Sequence, residues 1–243
     1  MSTAPRRGRK VQVAQQQHSS RILYIVLGAV AIIGAAVTFI VLGGGGNETA
    51  ATVPTEPIEV TFNVGQTDDG FFYKGVPEAP VTVVDYSDYQ CPACANFATS
   101  TVAKRIDSEF VETGQVQMIF HDFPLPMHPN SPVASESAYC AGAQGQFWQM
   151  HDQIFLTQPE WSLLSNDGAR NHFTRLAGGL GLDQVAFSGC LTTGEFRAHV
   201  AGAYQAAQAA GIPATPTFIV NGQQVSATQL EAAIQAALAA GGQ

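Results

Sequence analysis

The sequence contains few charged residues, and basic residues are especially scarce. Only 12% of its 243 residues are charged, and the formal net charge is −8 at pH 7. This balance argues against nucleic-acid binding, which depends on clustered lysine and arginine. The apolar fraction of 46% excludes wholesale disorder, which requires few apolar residues and a high net charge. The length accommodates one large domain or two small ones, each with a packed core.

Acidic residues are absent from residues 1–21, and residues 22–42 contain no charge at all. The first segment has a net charge of +5, against −13 for the rest of the chain. The uncharged run spans about 31 Å as a helix, which is enough to cross a bilayer. The basic cluster before it predicts a single-pass membrane anchor with a cytoplasmic N-terminus and most of the chain outside the cytoplasm. A cleaved signal peptide and a buried helix are the alternatives.

The remaining chain divides into a short linker and one domain-sized unit. Residues 43–58 are rich in Gly, Thr and Pro and predict a flexible tether. Residues 59–243 contain no internal repeat. Apolar periodicity there predicts strands and helices. The strands are 58–64, 81–86, 116–121, 217–220 and 223–226, and the helices are 91–114, 133–156, 167–176, 183–191, 195–210 and 229–239. The segment 81–121 indicates a parallel βαβ unit, and the whole pattern predicts an α/β sheet with a helical insert at about 131–210.

Cysteines are also few, and only Cys91 and Cys94 lie close together in sequence. Four cysteines permit three pairings, of which the spacing favours Cys91 with Cys94 and Cys140 with Cys190. A two-residue loop constrains little unfolded chain, so the first pair is better suited to chemistry than to structural support. Cys91 is predicted at a strand-to-helix junction, where backbone amides and the helix dipole stabilise a thiolate. Cys94, one turn later, would be shielded and would resolve a mixed disulfide.

A zinc site and an inert disulfide are the alternatives for this C-x-x-C motif. Zinc requires two further ligands, and the chain has no second close cysteine pair. His121 and His128 are the candidate ligands at that end of the core, and His128 is more consistent with a structural role. The sequence therefore predicts no metal site. Because the motif follows a β-branched strand and begins a helix, it favours redox chemistry.

Two further residues are unusual for their positions. Asp85 shares the apolar face of its strand with Val81 and Val83, where an acid is costly unless it has a partner or a task. Moving the proton of Cys94 is one such task, and a strand-end residue that reaches water is the alternative. Pro216 precedes an apolar strand, where the missing N–H predicts a cis peptide bond.

The second cysteine pair and the nearby aromatic residues are predicted to be structural. A bridge between Cys140 and Cys190 would join two helices of the insert and stabilise the fold by roughly 4 kcal/mol in the chain-entropy model. Two free buried thiols, or a second redox pair, are the alternatives. Phe147, Trp148 and Phe155 have helical spacings typical of a core.

Three stretches of the chain resemble the DsbA-like branch of the thioredoxin superfamily. They are VPEAPVTVVDYSDYQCPAC, HDFPLPMHPNSPVASESAYCAGAQGQFWQMHDQIF and GIPATPTFIVNG. The resemblance implies a thioredoxin fold with an inserted helical subdomain over 59–243. It also implies a bacterial thiol–disulfide oxidoreductase that acts on exported proteins and has no bound cofactor.

The same resemblance assigns roles to individual residues. It makes Cys91 the exposed nucleophile, Cys94 its buried partner and Asp85 the buried acid. Thr215 and Pro216 match the family's cis-proline loop, which lies against the active-site disulfide and binds substrate backbone. The implied recycling partner is a membrane quinone-linked protein that is DsbB-like or vitamin K epoxide reductase-like.

The residues between the cysteines depart from the family's best-known oxidase. That enzyme has a histidine there, whereas this chain has Pro92 and Ala93, and Thr215 is shared with isomerase and reductase relatives. We expect an oxidase that donates disulfides to exported proteins. A reductase or isomerase of the same fold, and a tethered binding module that does not turn over, are the alternatives.

Overall fold

The structure is a computed structural model that describes residues 62–241. Several predicted segments lie outside these residues: the basic N-terminus 1–21, the membrane helix 22–42, the tether 43–58 and most of the strand 58–64. Among the described helices, none combines the length and apolar character that crossing a membrane requires.

Within residues 62–241, six strands form one mixed sheet. Their bounds are β1 Val64–Gln66, β2 Phe72–Lys74, β3 Val81–Ser87, β4 Val116–Asp122, β5 Thr217–Val220 and β6 Gln223–Val225. Across the sheet the order is β1, β2, β4, β3, β5, β6, and of these pairs only β3 with β4 is parallel. The parallel pair confirms the predicted βαβ unit. Strand β2 was not predicted, because three residues are too short to show an alternating pattern.

Helices connect β3 to β4, fill the long segment between β4 and β5, and close the chain. Their bounds are α1 Pro92–Ala98, α2 Thr101–Ile106, a π-helical turn Asp107–Val111, α3 Ser131–Gly142, α4 Phe147–Leu156, α5 Gln158–Trp161, α6 Asn166–Gly179, α7 Gln184–Thr193, α8 Arg197–Ala209 and α9 Leu230–Gly241. Helices α3 to α8 therefore occupy the segment that was predicted as a helical insert.

Two segments that were predicted as continuous helices are each interrupted. The helix predicted at 91–114 is interrupted where the Ser100 hydroxyl accepts a hydrogen bond from the Ala103 amide at 3.1 Å and begins α2. The helix predicted at 133–156 is divided between α3 and α4, where Gly145 has φ +79°, a left-handed backbone that favours glycine. Apolar periodicity continues across both breaks, so it could not reveal them.

The helical insert and the C-x-x-C motif share one apolar cluster. Besides both cysteines of the motif, its buried members include Tyr89, Phe120, Tyr139, Phe147, Trp161 and Phe173. A second cluster joins the sheet to α2 and α9 through Val81, Val83, Ile106, Phe218, Leu230 and Ile234. The aromatic residues predicted to lie in the core, Phe147, Trp148 and Phe155, are buried. The motif thus lies where the sheet meets the insert.

A disulfide joins two helices of the insert. It links Cys140 of α3 to Cys190 of α7, with a Cα–Cα distance of 5.9 Å and a sequence separation of 50. Cys140 is fully enclosed in the large apolar cluster. The bond therefore ties α7 to α3 within the insert.

Candidate active site

Cys91 occupies the N-cap position of α1, where β3 has ended and the helix begins. Its backbone is extended, with φ −72° and ψ 121°, and Pro92 supplies the fixed φ that suits a first helical turn. Cys91 is 7% exposed, Cys94 is 1% exposed, and Pro92 and Ala93 between them face solvent. Both sulfurs are free in this structure, which therefore represents the reduced pair. Of the two cysteines, Cys91 is the less enclosed.

The loop that contains Thr215 and Pro216 lies against Cys91. The peptide bond between these two residues is cis. The Cys91 thiol donates a hydrogen bond to the Thr215 carbonyl oxygen, with an Sγ–O distance of 3.5 Å. The loop leads into β5, which pairs with β3, so the sheet itself places the loop beside the strand that precedes Cys91.

The two sulfurs have opposite acid strengths. A hydrogen bond from the Cys94 thiol is the main reason that the pKa of Cys91 falls to about 5. Burial opposes this change, while the Thr215 side chain and the backbone amides of Cys94 and Ala93 add to it. Burial, and then the interaction with Cys91, raise the pKa of Cys94 well above its ordinary range. At neutral pH the reduced pair is therefore a Cys91 thiolate beside a Cys94 thiol.

Asp85 is a buried acid on β3, in register with Phe120 of β4. The Ser87 hydroxyl donates a hydrogen bond to its Oδ1 at 2.6 Å. Burial raises the pKa of Asp85 to about 7, and the Ser87 hydrogen bond and the charge of Lys74 oppose that rise. The Asp85 charge also contributes to the raised pKa of Cys94. A carboxyl with this pKa can exchange a proton at neutral pH.

Asp85 lines a cavity of about 320 Å³ together with a partly buried ion pair. The pair consists of Lys74 of β2 and Asp107 of the π-helical turn, with Nζ 2.7 Å from Oδ2. The Lys74 ammonium also lies 4.9 Å from the ring centroid of Trp148. Sequence analysis missed both residues. Lys74 lies in a strand too short to predict, and 33 residues separate it from its partner.

Asp88 organises the turn that precedes Cys91, and sequence analysis missed it as well. Its carboxylate accepts hydrogen bonds from the amides of Gln90 at 2.7 Å and Leu125 at 2.8 Å. The same carboxylate contacts His128 Nδ1 at 2.7 Å. Its backbone oxygen accepts the Cys91 amide at 3.0 Å. His128 therefore stabilises this turn. Within residues 62–241, no cluster of His, Cys, Asp or Glu is arranged to hold a metal ion.

Two glutamines attach the insert to the active-site turn. Gln158 Nε2 donates to the carbonyl oxygens of Tyr89 at 2.7 Å and Cys91 at 3.0 Å. Gln90 Nε2 donates to the carbonyl oxygen of Ser162 at 2.6 Å. The only sequence signal for Asp88 and Gln90 is a polar turn before the helix, and nothing in the sequence indicates Gln158, which lies 67 residues after Cys91.

The chain is similar to a known protein family and to a solved structure. The family model described as Thioredoxin matches residues 67–240. Oxidised BdbD from Bacillus subtilis is 25% identical in sequence, with a TM-score of 0.62 over 73% of this chain and 98% of that chain.

Two similar sequences cover shorter regions. The Na(+)/H(+) antiporter NhaA 3 of Salinispora tropica is 35% identical over 152 residues, which are 62% of this chain and 22% of the antiporter. The probable disulfide bond formation protein D of Bacillus anthracis is 34% identical over 85 residues, which are 35% of this chain and 39% of that protein. The chain thus spans about a fifth of the antiporter's length.

Proposed function

Because this chain belongs to the thioredoxin family and is a DsbA-like thiol–disulfide oxidoreductase, we propose that it donates the Cys91–Cys94 disulfide to exported proteins. The observation that carries the proposal is the contrast between the two sulfurs. A pKa of about 5 makes Cys91 a good leaving group. The reduced form is stabilised at neutral pH, and a stabilised reduced form makes the disulfide a stronger oxidant.

The reaction transfers two electrons from a substrate dithiol to the cysteine pair. A substrate thiolate attacks Cys91 Sγ, the Cys91–Cys94 bond breaks, and Cys94 leaves and takes up a proton. The second substrate thiolate then attacks the substrate sulfur of the mixed disulfide. That step forms the substrate disulfide and releases Cys91 as a thiolate. The substrate loses two protons in all. Cys94 gains one proton, and the other is released to solvent. Asp85 is the group that supplies or accepts the Cys94 proton.

The surface near Cys91 suits an unfolded substrate. The apolar side chains of Met127, Leu163 and Leu164 are 70%, 94% and 42% exposed. Asn130 Nδ2 donates to the Leu164 carbonyl oxygen at 2.9 Å, and the Asn130 amide donates to Gln90 Oε1 at 2.7 Å. The loop that bears the two leucines is therefore connected to the residue that precedes Cys91. Exposed apolar residues on a loop that is hydrogen-bonded to the active-site turn favour apolar segments of substrate.

We place the domain outside the cytoplasm, attached to the membrane by residues 22–42. The uncharged run and the basic residues before it support this location. The similar region in proteins named as antiporters is consistent with a membrane setting. A membrane quinone-linked protein, DsbB-like or vitamin K epoxide reductase-like, would then reoxidise Cys91 and Cys94.

The test is the redox equilibrium of the Cys91–Cys94 pair against glutathione, measured on the full chain in detergent micelles. A potential above that of the glutathione couple is the expected result. A potential well below it would replace the oxidase with a reductase, an alternative that the Pro92–Ala93 dipeptide keeps open. Refolding of a reduced test protein provides the second arm. Acceleration that survives in Cys91→Ala would instead indicate a binding module.

A further inference from the structure

The cavity beside Asp85 extends from the buried acid to the protein surface. Its lining includes Leu156 and Asp152, and Leu156 is 52% exposed. The Asp152 side chain is 45% exposed. Asp85 lines the same space, although it is only 7% exposed. The cavity therefore connects solvent to an acid that is otherwise enclosed.

His151 also lines this cavity and is almost fully buried. Its ring contacts the aromatic rings of Tyr89, Phe120, Trp148 and Phe155, with centroid separations of 5.7, 4.9, 5.0 and 5.0 Å. Its Nδ1 lies 2.8 Å from Asp152 Oδ1. With Nδ1 held by Asp152, Nε2 is the ring nitrogen left for proton exchange. The aromatic rings fix the imidazole without competing for its protons.

The other charged groups that line the cavity are less suited to carrying protons. Lys74 and Asp107 are paired with each other at 2.7 Å, and Lys104 is an exposed lysine of α2. A lysine ordinarily keeps its proton at neutral pH, whereas an imidazole ordinarily gains and loses one there. Among the residues that line the cavity, His151 has the side chain whose chemistry fits a relay.

We propose that His151, oriented by Asp152, carries protons between solvent and Asp85 through this cavity. The inference rests on the proposed chemistry of Cys91 and Cys94, and it holds for either direction of electron flow. When a thiolate attacks Cys91, Cys94 leaves as a thiolate and takes a proton from Asp85. The Asp85 carboxylate is reprotonated from His151, which regains a proton from solvent. The reverse sequence removes the Cys94 proton during reoxidation. His151 is a positioning residue, because it acts through Asp85.

The first experiment measures how fast dithiothreitol reduces the Cys91–Cys94 disulfide in the full chain in detergent micelles. Stopped-flow tryptophan fluorescence at pH 7 follows the reaction. The variant His151→Phe keeps an aromatic ring among the four aromatic side chains that surround position 151. It should slow reduction by roughly tenfold. His172→Gln is the matched control, since His172 is also a buried histidine but does not line the cavity. Wild-type speed in His151→Phe would overturn the proposal.

A double substitution separates a relay from a packing defect. In an Asp85→Asn background the acid that receives the proton is gone, so His151→Phe should slow the reaction no further. An additional tenfold slowing in that background would overturn the proposal, because the histidine would then act independently of Asp85. Circular dichroism and retention of the Cys140–Cys190 disulfide verify that each variant is folded.

Chemical rescue supplies a readout that a structural role would not change. In His151→Ala, imidazole should restore the rate in a concentration-dependent manner. Pyrazole, which has a similar shape but is not protonated to its cation at neutral pH, should not. Equal rescue by both compounds, or rescue by neither, would overturn the relay.

The dithiothreitol assay also keeps this inference separate from the proposed function. If the chain reacts with dithiothreitol through His151 but does not oxidise reduced proteins, the oxidase proposal fails and the relay stands.

Discussion

The stability of the reduced domain should rise with pH because of the Cys91 thiolate. The pKa of Cys91 is about 5 in the folded protein, against an ordinary value of 9.0. The thiolate contributes no stability at pH values below the folded pKa. Its contribution grows as the pH rises from the folded pKa to the ordinary pKa, and it is complete above the ordinary pKa. Within that window the free energy of unfolding should gain roughly 1.4 kcal/mol per pH unit, and about 2.7 kcal/mol by pH 7. That gain corresponds to ~60 mV for a two-electron couple.

The oxidised protein supplies the reference, because a disulfide has no thiol to ionise. Burial raises the pKa of Asp85 to about 7 and that of Asp122 to about 6. These carboxyls act in the opposite direction, since a raised folded pKa favours the folded state at low pH and loses that advantage as pH rises. Both carboxyls are present in both redox forms, so subtraction removes most of their effect. The assay is urea unfolding of each form, on a fragment that begins near Glu59, from pH 5 to pH 8.

A reduced-minus-oxidised difference that does not change across this pH range would refute the stabilised thiolate. Cys91→Ser is the matched control, because it keeps the size of the side chain and removes the ionisable group. Its unfolding free energy, compared with that of the oxidised wild type, should lack the slope. A slope that persists in the serine variant would assign the ionisation to another group.

Three further substitutions test other parts of the structure. Replacing Asp85 by Asn should stabilise the domain above pH 7 by up to roughly 4 kcal/mol, because ionising a buried acid of raised pKa opposes folding. Urea unfolding at pH 8 measures this change. An unfolding free energy that does not increase would contradict the burial of Asp85. Replacing Lys74 by Met should destabilise the domain by roughly 1.5–3 kcal/mol, because the partly buried Asp107 loses its charged hydrogen-bond partner. It should also raise the pKa of Asp85, which NMR titration detects, and an unchanged pKa would contradict their coupling. Replacing Cys140 and Cys190 by Ala should lower the unfolding free energy by roughly 4 kcal/mol and leave oxidase turnover largely unchanged. Turnover lost in a folded variant would point to a redox relay.

Local sequence was sufficient for the framework of the site. A β-branched strand followed by cysteine and proline places Cys91 at a helix start, because proline cannot continue the strand's hydrogen bonding but suits a first turn. A proline before an apolar strand likewise indicated the Thr215–Pro216 bond that the structure has as cis. The alternation of strands and helices gave the α/β class and the parallel pair β3–β4.

Helix continuity could not be obtained from periodicity. The breaks at Ser100 and Gly145 depend on one side-chain cap and one left-handed backbone. Each break costs only a few residues of regular structure, so the apolar spacing on either side still matches a single helix.

What the sequence determined by itself was the chemistry: two cysteines at a helix start, a buried acid before them and a proline-containing loop after them. The tertiary structure decided what surrounds that chemistry. The partners of the buried groups come from distant segments, as Lys74 meets Asp107, Asp88 meets His128 and Gln158 meets Cys91. These pairs follow from the packing of segments that are distant in sequence, and a pairing set by packing leaves no pattern in the local sequence.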